Sequence, residues 1–160
     1  MALKHILKHT ETEIVWKCYI INSAGGTVDI SVENDCTKTL TQAYVAPTSI
    51  PDETNDGFFD YTGSRVYITG LWWGLKKDKQ LDITRIINPT GPVLHGHYYL
   101  TNAGSYDYRD FSDRVYANRD VRLVFDGPGH CIIRLRKEGW APKVETAQFS
   151  IYDDVTQVGR

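Results

Sequence analysis

The sequence predicts an all-β protein: an antiparallel β-sandwich of jelly-roll type, with eight or nine short strands and at most one short helix. Three observations carry this. Apolar and polar residues alternate with a period of two in short runs along the chain. Clusters of Gly, Pro, Asn and Asp separate those runs. The chain is also rich in Tyr (10) and has 4 Trp, residues that suit strands and contact surfaces alike.

The chain opens with MALKHILKHTETE. Leu3, Ile6 and Leu7 fit a helical spacing, whereas Leu3, His5 and Leu7 fit a strand. The next run begins without a cap or break, so residues 1–12 are read as an N-terminal arm or edge strand suited to pairing with a neighbouring subunit. Residues 13–160 are read as one sandwich domain, as 160 residues suggest. Glu13–Ile21 is apolar on both faces, the mark of a central strand. The turn NSAGG follows, and then a strand over Gly26–Glu33 that places Val28, Ile30 and Val32 on one face, so the two strands read as a hairpin.

Asn34–Gly63 is loop-rich and ends in the aromatics Phe58, Phe59 and Tyr61, which either plug the sandwich rim or meet a partner. Ser64–Gly74 is the strongest strand of the middle region, with Val66, Ile68, Gly70 and Trp72 on one face and Tyr67, Thr69, Leu71 and Trp73 on the other. GLKKDKQ turns the chain into a return strand carrying Leu81, Ile83, Arg85 and Ile87. Val93–Thr101 is a further strand. Asn102–Asp120, with Tyr106 and Tyr108, reads as a second long loop or a short helix around Asp110–Tyr116. Val121–Phe125, the turn DGPGH and Cys131–Leu135 read as a last hairpin, and Gln148–Val155 as a final strand.

Composition narrows the function. A net charge of −2 argues against a general polyanion binder and hence against direct nucleic-acid contact. Two small basic clusters, Arg134/Arg136/Lys137 and Lys76/Lys77/Lys79, read as a solvated strand edge and a turn. Three cysteines, with Cys18 and Cys131 inside strands, lack a zinc-binding spacing and fit buried free thiols in a reducing compartment. Neither a secretory leader nor a membrane-spanning apolar run is expected.

Candidate chemistry is sparse. His95 and His97 lie two apart on a strand but lack a visible third metal ligand. Asp107, Asp110 and Asp113 lack the calcium-loop spacing. No nucleophile–base pattern is present, and GPGH lacks phosphate-loop spacing, so no enzyme activity and no cofactor are expected. Trp72 and Trp73 with Tyr67, Tyr98 and Tyr99 offer a glycan-stacking alternative, which only one of the two adjacent Trp can join.

MALKHILKHTETEIVWKCYI at the start and LVFDGPGHCIIRLRKEGW (Leu123–Trp140) resemble small virion structural proteins of tailed bacteriophages, especially those infecting marine cyanobacteria. The matching positions of the second stretch are Gly129, Cys131, Arg134, Leu135, Arg136, Lys137 and Trp140, and the likeness spans about a third of the chain. It implies a non-enzymatic particle component. The expectation is a capsid decoration or cement protein, assembled in the host cytoplasm into the virion. Its partners would be phage structural proteins (the major capsid protein, or neck and tail proteins) and further copies of itself. The alternatives are a neck, tail, baseplate or fibre-associated subunit and a host-surface glycan-binding module. The expected contact residues are Phe58, Phe59, Tyr61, Trp73, Tyr106, Tyr108 and Trp140, with Leu3, Ile6 and Leu7 on the arm. The strands apolar on both sides exceed what a lone sandwich needs, as in a chain packed against neighbours.

Overall fold

The computed structural model describes residues 2–45, 63–88, 93–109 and 115–143. They form eleven strands and one helical turn: β1 (Ala2–His9), β2 (Glu13–Ile20), β3 (Gly26–Ile30), α1 (Val32–Asp35), β4 (Gln42–Ala43), β5 (Arg65–Leu75), β6 (Gln80–Asn88), β7 (Val93–Thr101), β8 (Ala103–Asp107), β9 (Val121–Phe125), β10 (Gly129–Glu138) and β11 (Ala141–Pro142). The fold is an all-β antiparallel sandwich, as the alternation predicts. One layer has the order β1-β2-β10-β5-β8 and the other β3-β9-β6-β7, with a small β11-β4 ribbon beside them.

Side chains of one phase from each layer fill the space between. Ile14, Cys18, Ile133, Leu135 and Leu71 from the first layer meet Ile30, Val121, Leu123, Leu81 and Ile83 from the second, and all are fully buried. At ~25 cal/mol per Å² of apolar surface, each such side chain contributes roughly 2 kcal/mol.

The expected hairpins are corrected by this topology. β2 is flanked by β1 and β10, and β10 by β2 and β5, so neither has a free edge for its neighbour in sequence. The turn before β3 therefore carries the chain into the other layer, and so does the turn between β9 and β10. The return strand β6 also lies across the core from β5. Four crossings gather at one end of the sandwich, stitched by Leu75 N–H to Asn102 O (2.7 Å), Lys76 N–H to Pro128 O (3.0 Å) and Asp126 N–H to Gln80 O (2.9 Å). Gly25 sits there at φ 82, where a Cβ would lie 2.0 Å from Phe125 O, so only glycine fits.

Three further expectations change. Val32 is buried but belongs to α1, because Ser31 ends β3 as an N-cap whose Oγ accepts from Asn34 N–H. The long 102–120 segment contains a strand, β8, every residue of which is exposed. Of the helix expected at 110–116, residues 110–114 lie outside the described residues and 115–118 form a turn. The Gln148–Val155 strand also lies outside them. Finally, β5 carries a one-residue bulge: Arg134 pairs with Gly70 but Leu135 with Ile68, leaving Thr69 extra. An extra residue reverses the facing of everything beyond it. Leu71 and Trp73 therefore share the inner phase with Val66 and Ile68, while Tyr67, Gly70 and Trp72 face outward.

Candidate functional site

The two layers leave a side of the sandwich between edge strands β8 and β7, and aromatic rings line it. Trp73, on the inner phase of β5, donates its indole N–H to Thr101 O (3.0 Å). Its ring lies 5.3 Å from that of Tyr106 on β8. Tyr106 stacks on Tyr108 at 5.7 Å with 13° between planes, and Tyr98 of β7 lies 6.0 Å from Tyr106. The spacing of Tyr106 and Tyr108 on a strand brings both to one side, and Gly104, two residues earlier, leaves the space the Trp73 ring occupies. Of the expected contact residues, Trp73, Tyr106 and Tyr108 thus form one continuous band, and Tyr106 is 43% exposed.

The remaining expected residues are dispersed. Phe58, Phe59 and Tyr61 lie outside the described residues. On the opposite edge, β1 pairs with β2 from Ala2 to His9, with a bulge between Ile6 and Lys8. Ile6 and Leu7 are about half exposed there, while Leu3 is half-buried. Of the glycan-stacking set, Trp73 and Tyr98 both border the Tyr106 ring, whereas Trp72 and Tyr67 lie on the outer face of the first layer and Tyr99 on the outer face of the second, opposite Asp82. His95 and His97 bring their rings within 5.4 Å of each other. Among the described residues no three metal-ligating side chains gather.

Trp140 stands apart from this band, at the end of the sandwich opposite the four crossings, over a buried polar cluster the sequence reading misses. Lys137 was expected in solvent with Arg134 and Arg136. Instead it extends the inner phase of Cys131, Ile133 and Leu135, and it is 4% exposed. Its ammonium donates to Gln42 Oε1, to Thr10 O (3.4 Å) and to His9 Nε2 (2.9 Å), and it lies 5.2 Å from the Trp140 ring centre. The Trp140 indole N–H donates to Thr37 Oγ1 (3.1 Å). Burial pushes the Lys137 pKa down to about 8. Burial, and then the charge of Lys137, also holds His9 below its ordinary value.

His9 Nε2 lies 3.2 Å from Cys36 O as well. One ring nitrogen cannot serve both neighbours: the ammonium needs its lone pair, the carbonyl its proton. A charged Lys137 therefore fixes the Nδ1–H tautomer of His9. Loss of the lysine proton frees Nε2–H to donate to Cys36 O.

Arg85 is the second missed residue. It follows Leu81 and Ile83 on the inner phase and is fully buried. Its guanidinium donates to Val66 O and to Arg119 O, both at 2.7 Å, tying β5, β6 and the 115–120 turn together. The period-two pattern carries the signal for both residues: it aligns Arg85 with Leu81 and Ile83, and it was masked at Lys137 by the neighbouring cations.

The outer face of the first layer is covered by its own cations. Arg134 lies 5.3 Å from the Trp72 ring, and Arg136 lies 4.9 Å from that of Tyr67. Arg134 also bonds both polar groups of the bulged Thr69 and pairs with Asp107 (2.6 Å). That hydrogen bond holds the Asp107 carboxyl below the usual carboxylate range.

No family model, curated protein or solved structure matches the chain. No helix among the described residues is long and apolar enough to cross a membrane.

Proposed function

We propose that this chain is a non-enzymatic structural subunit of a tailed-phage virion, bound to the head shell as a decoration or cement protein. Support comes first from the resemblance of its two terminal stretches to such proteins. The observation that carries the reading is that, among the described residues, the large apolar groups exposed on strands lie on edge strands: Ile6 and Leu7 on β1 and Tyr106 on β8 border one sheet, and Leu94 and Tyr99 on β7 border the other. The β8 edge offers unpaired backbone groups as well as side chains, and β1, where a bulge and two lysines disfavour backbone pairing, offers its apolar side chains; both suit lateral packing between subunits. The polar clusters inside the sandwich are engaged in holding its end closed, and the cations outside cover its own rings.

Quantitative mass spectrometry of purified virions tests this. A decoration protein is present in a fixed ratio to the major capsid protein, and its loss makes heads burst at lower temperature or milder osmotic shock. A small copy number set by tail or neck symmetry replaces the head assignment with the neck or tail one. Absence from particles refutes both.

A further inference from the structure

We infer that β8 is a self-complementary edge, through which two copies of this chain join antiparallel about a two-fold axis at Ser105. The inference deepens the assembly reading and rests on it for biological use, but not for its test.

The argument starts from how each edge is treated. β1 is bulged after Ile6 and carries Lys4 and Lys8. On β3, the Asp29 carbonyl accepts from Lys4 Nζ (2.7 Å). β7 is bulged between Gly96 and Tyr98, where its register with β6 shifts. Bulges and cationic side chains are the usual devices against edge-to-edge pairing. β8, with the sequence AGSYD, has neither: its register with β5 runs unbroken from Gly70–Asp107 to Gly74–Ala103.

The backbone phase is set by its ends. Leu75 N–H donates to Asn102 O, and Tyr108 N–H donates to Thr69 O, each at 2.7 Å. Even-numbered residues of β8 therefore turn their polar groups to β5. Antiparallel alternation points those of Ala103, Ser105 and Asp107 away from the sheet.

A second β8 laid antiparallel on this edge pairs Ser105 with Ser105 and Ala103 with Asp107. All are outward-facing residues, giving about six backbone hydrogen bonds. No like charges oppose each other. Gly104, whose missing side chain is replaced by the Trp73 ring, comes to lie opposite the second copy's Tyr106, so that tyrosine meets an aromatic surface. Each Asp107 stays with its own Arg134 and Arg109, and Arg109 itself lies beyond the paired residues. The two five-stranded layers would then run as one continuous sheet, through an isologous contact that closes on itself.

A five-residue edge is small for an obligate dimer, so dissociation constants of about 1–100 µM are expected. Sedimentation equilibrium of the full chain over roughly that range tests the pairing. The wild-type mass should rise from 18.2 kDa toward double with concentration. Ser105→Pro removes an N–H that points away from β5, so it should stay at the monomer mass with its circular dichroism unchanged. Ser105→Lys places like charges at the axis and should also stay monomeric, while mixing it with Ser105→Glu should restore the dimer. Should the proline variant misfold, the exposed lysine and glutamate pair decides alone. A wild type that stays at 18.2 kDa throughout, or a dimer that survives both Ser105→Pro and Ser105→Lys, overturns the inference. Copy number in virions is untouched by this experiment, so a monomeric result would remove the pairing and leave the particle reading standing.

Discussion

Replacing Lys137 with Met should change how the stability of the protein depends on pH, with a sign and size that follow from the cluster. In the fold the lysine pKa falls from 10.5 to about 8, chiefly because the ammonium is taken out of water. At about 1.4 kcal/mol per pH unit, that is roughly 3 kcal/mol of penalty carried by the charged form. Between pH 8 and 10.5 the unfolded chain holds this proton and the folded chain does not. The unfolding free energy must then rise with pH across that window, and below it the penalty is constant. Met keeps the length of the side chain and removes the charge. It also leaves Gln42 Oε1 and Thr10 O without their donor, which takes back about 1–3 kcal/mol. At pH 7 the two effects nearly cancel, so absolute stability is a poor readout and the pH slope a good one. Urea unfolding of wild type and Lys137→Met, followed by tryptophan fluorescence at half-unit steps, gives the difference curve directly. The wild type should gain about 2–3 kcal/mol relative to the variant from pH 7.5 to 10.5. Other titrating groups contribute equally to both proteins and drop out. A flat difference curve would show that Lys137 is solvated and that the cluster does not hold a strained proton. His9 acts in the same direction at lower pH. Its lowered pKa means that acidification charges the unfolded chain first, so stability falls as pH drops below 6.5, and His9→Gln should flatten that limb.

Two further outcomes follow from the buried groups. Arg85→Ala removes the donors to Val66 O and Arg119 O and should cost about 2–4 kcal/mol in denaturant unfolding, from two buried carbonyls left without a donor; a loss under about 1 kcal/mol would mean that the guanidinium is dispensable there. Cys18, Cys36 and Cys131 are fully buried, and burial raises all three thiol pKa values, to about 12 for the first two. A thiolate-specific reagent should therefore find no reactive thiol in the native protein and three in denaturant, and one fast-reacting native thiol would contradict the packing of its strand.

Most strands were legible because a half-buried strand must alternate, and β7 and β9 fall where the alternation puts them. β8 was not, because a strand exposed at every residue has no alternation to read. Strand partners were illegible for a related reason: a tight turn looks the same whether it closes a hairpin or crosses between layers, and only the occupied edges of β2 and β10 decide. Lys137 was written in phase with the core but read by charge, and Arg85 was placed in line with Leu81 and Ile83 without a role, although long side chains reach polar partners from apolar positions.

The same logic relocates the contact surface. Two-sided apolarity in Ser64–Gly74 seemed to ask for a neighbour packed on the face of the sheet. Part of it is the bulge at Thr69, which moves Leu71 and Trp73 inward, and the rest is Tyr67 and Trp72 lying beneath Arg136 and Arg134. Once the chain's own cations have covered that face, the large apolar groups still exposed on the strands belong mainly to edges: Ile6 and Leu7, Tyr106, Leu94 and Tyr99. A partner that extends the sheet at β8 finds both backbone and side-chain partners there, whereas one that docks on the outer face must first displace two guanidinium groups from the rings they cover.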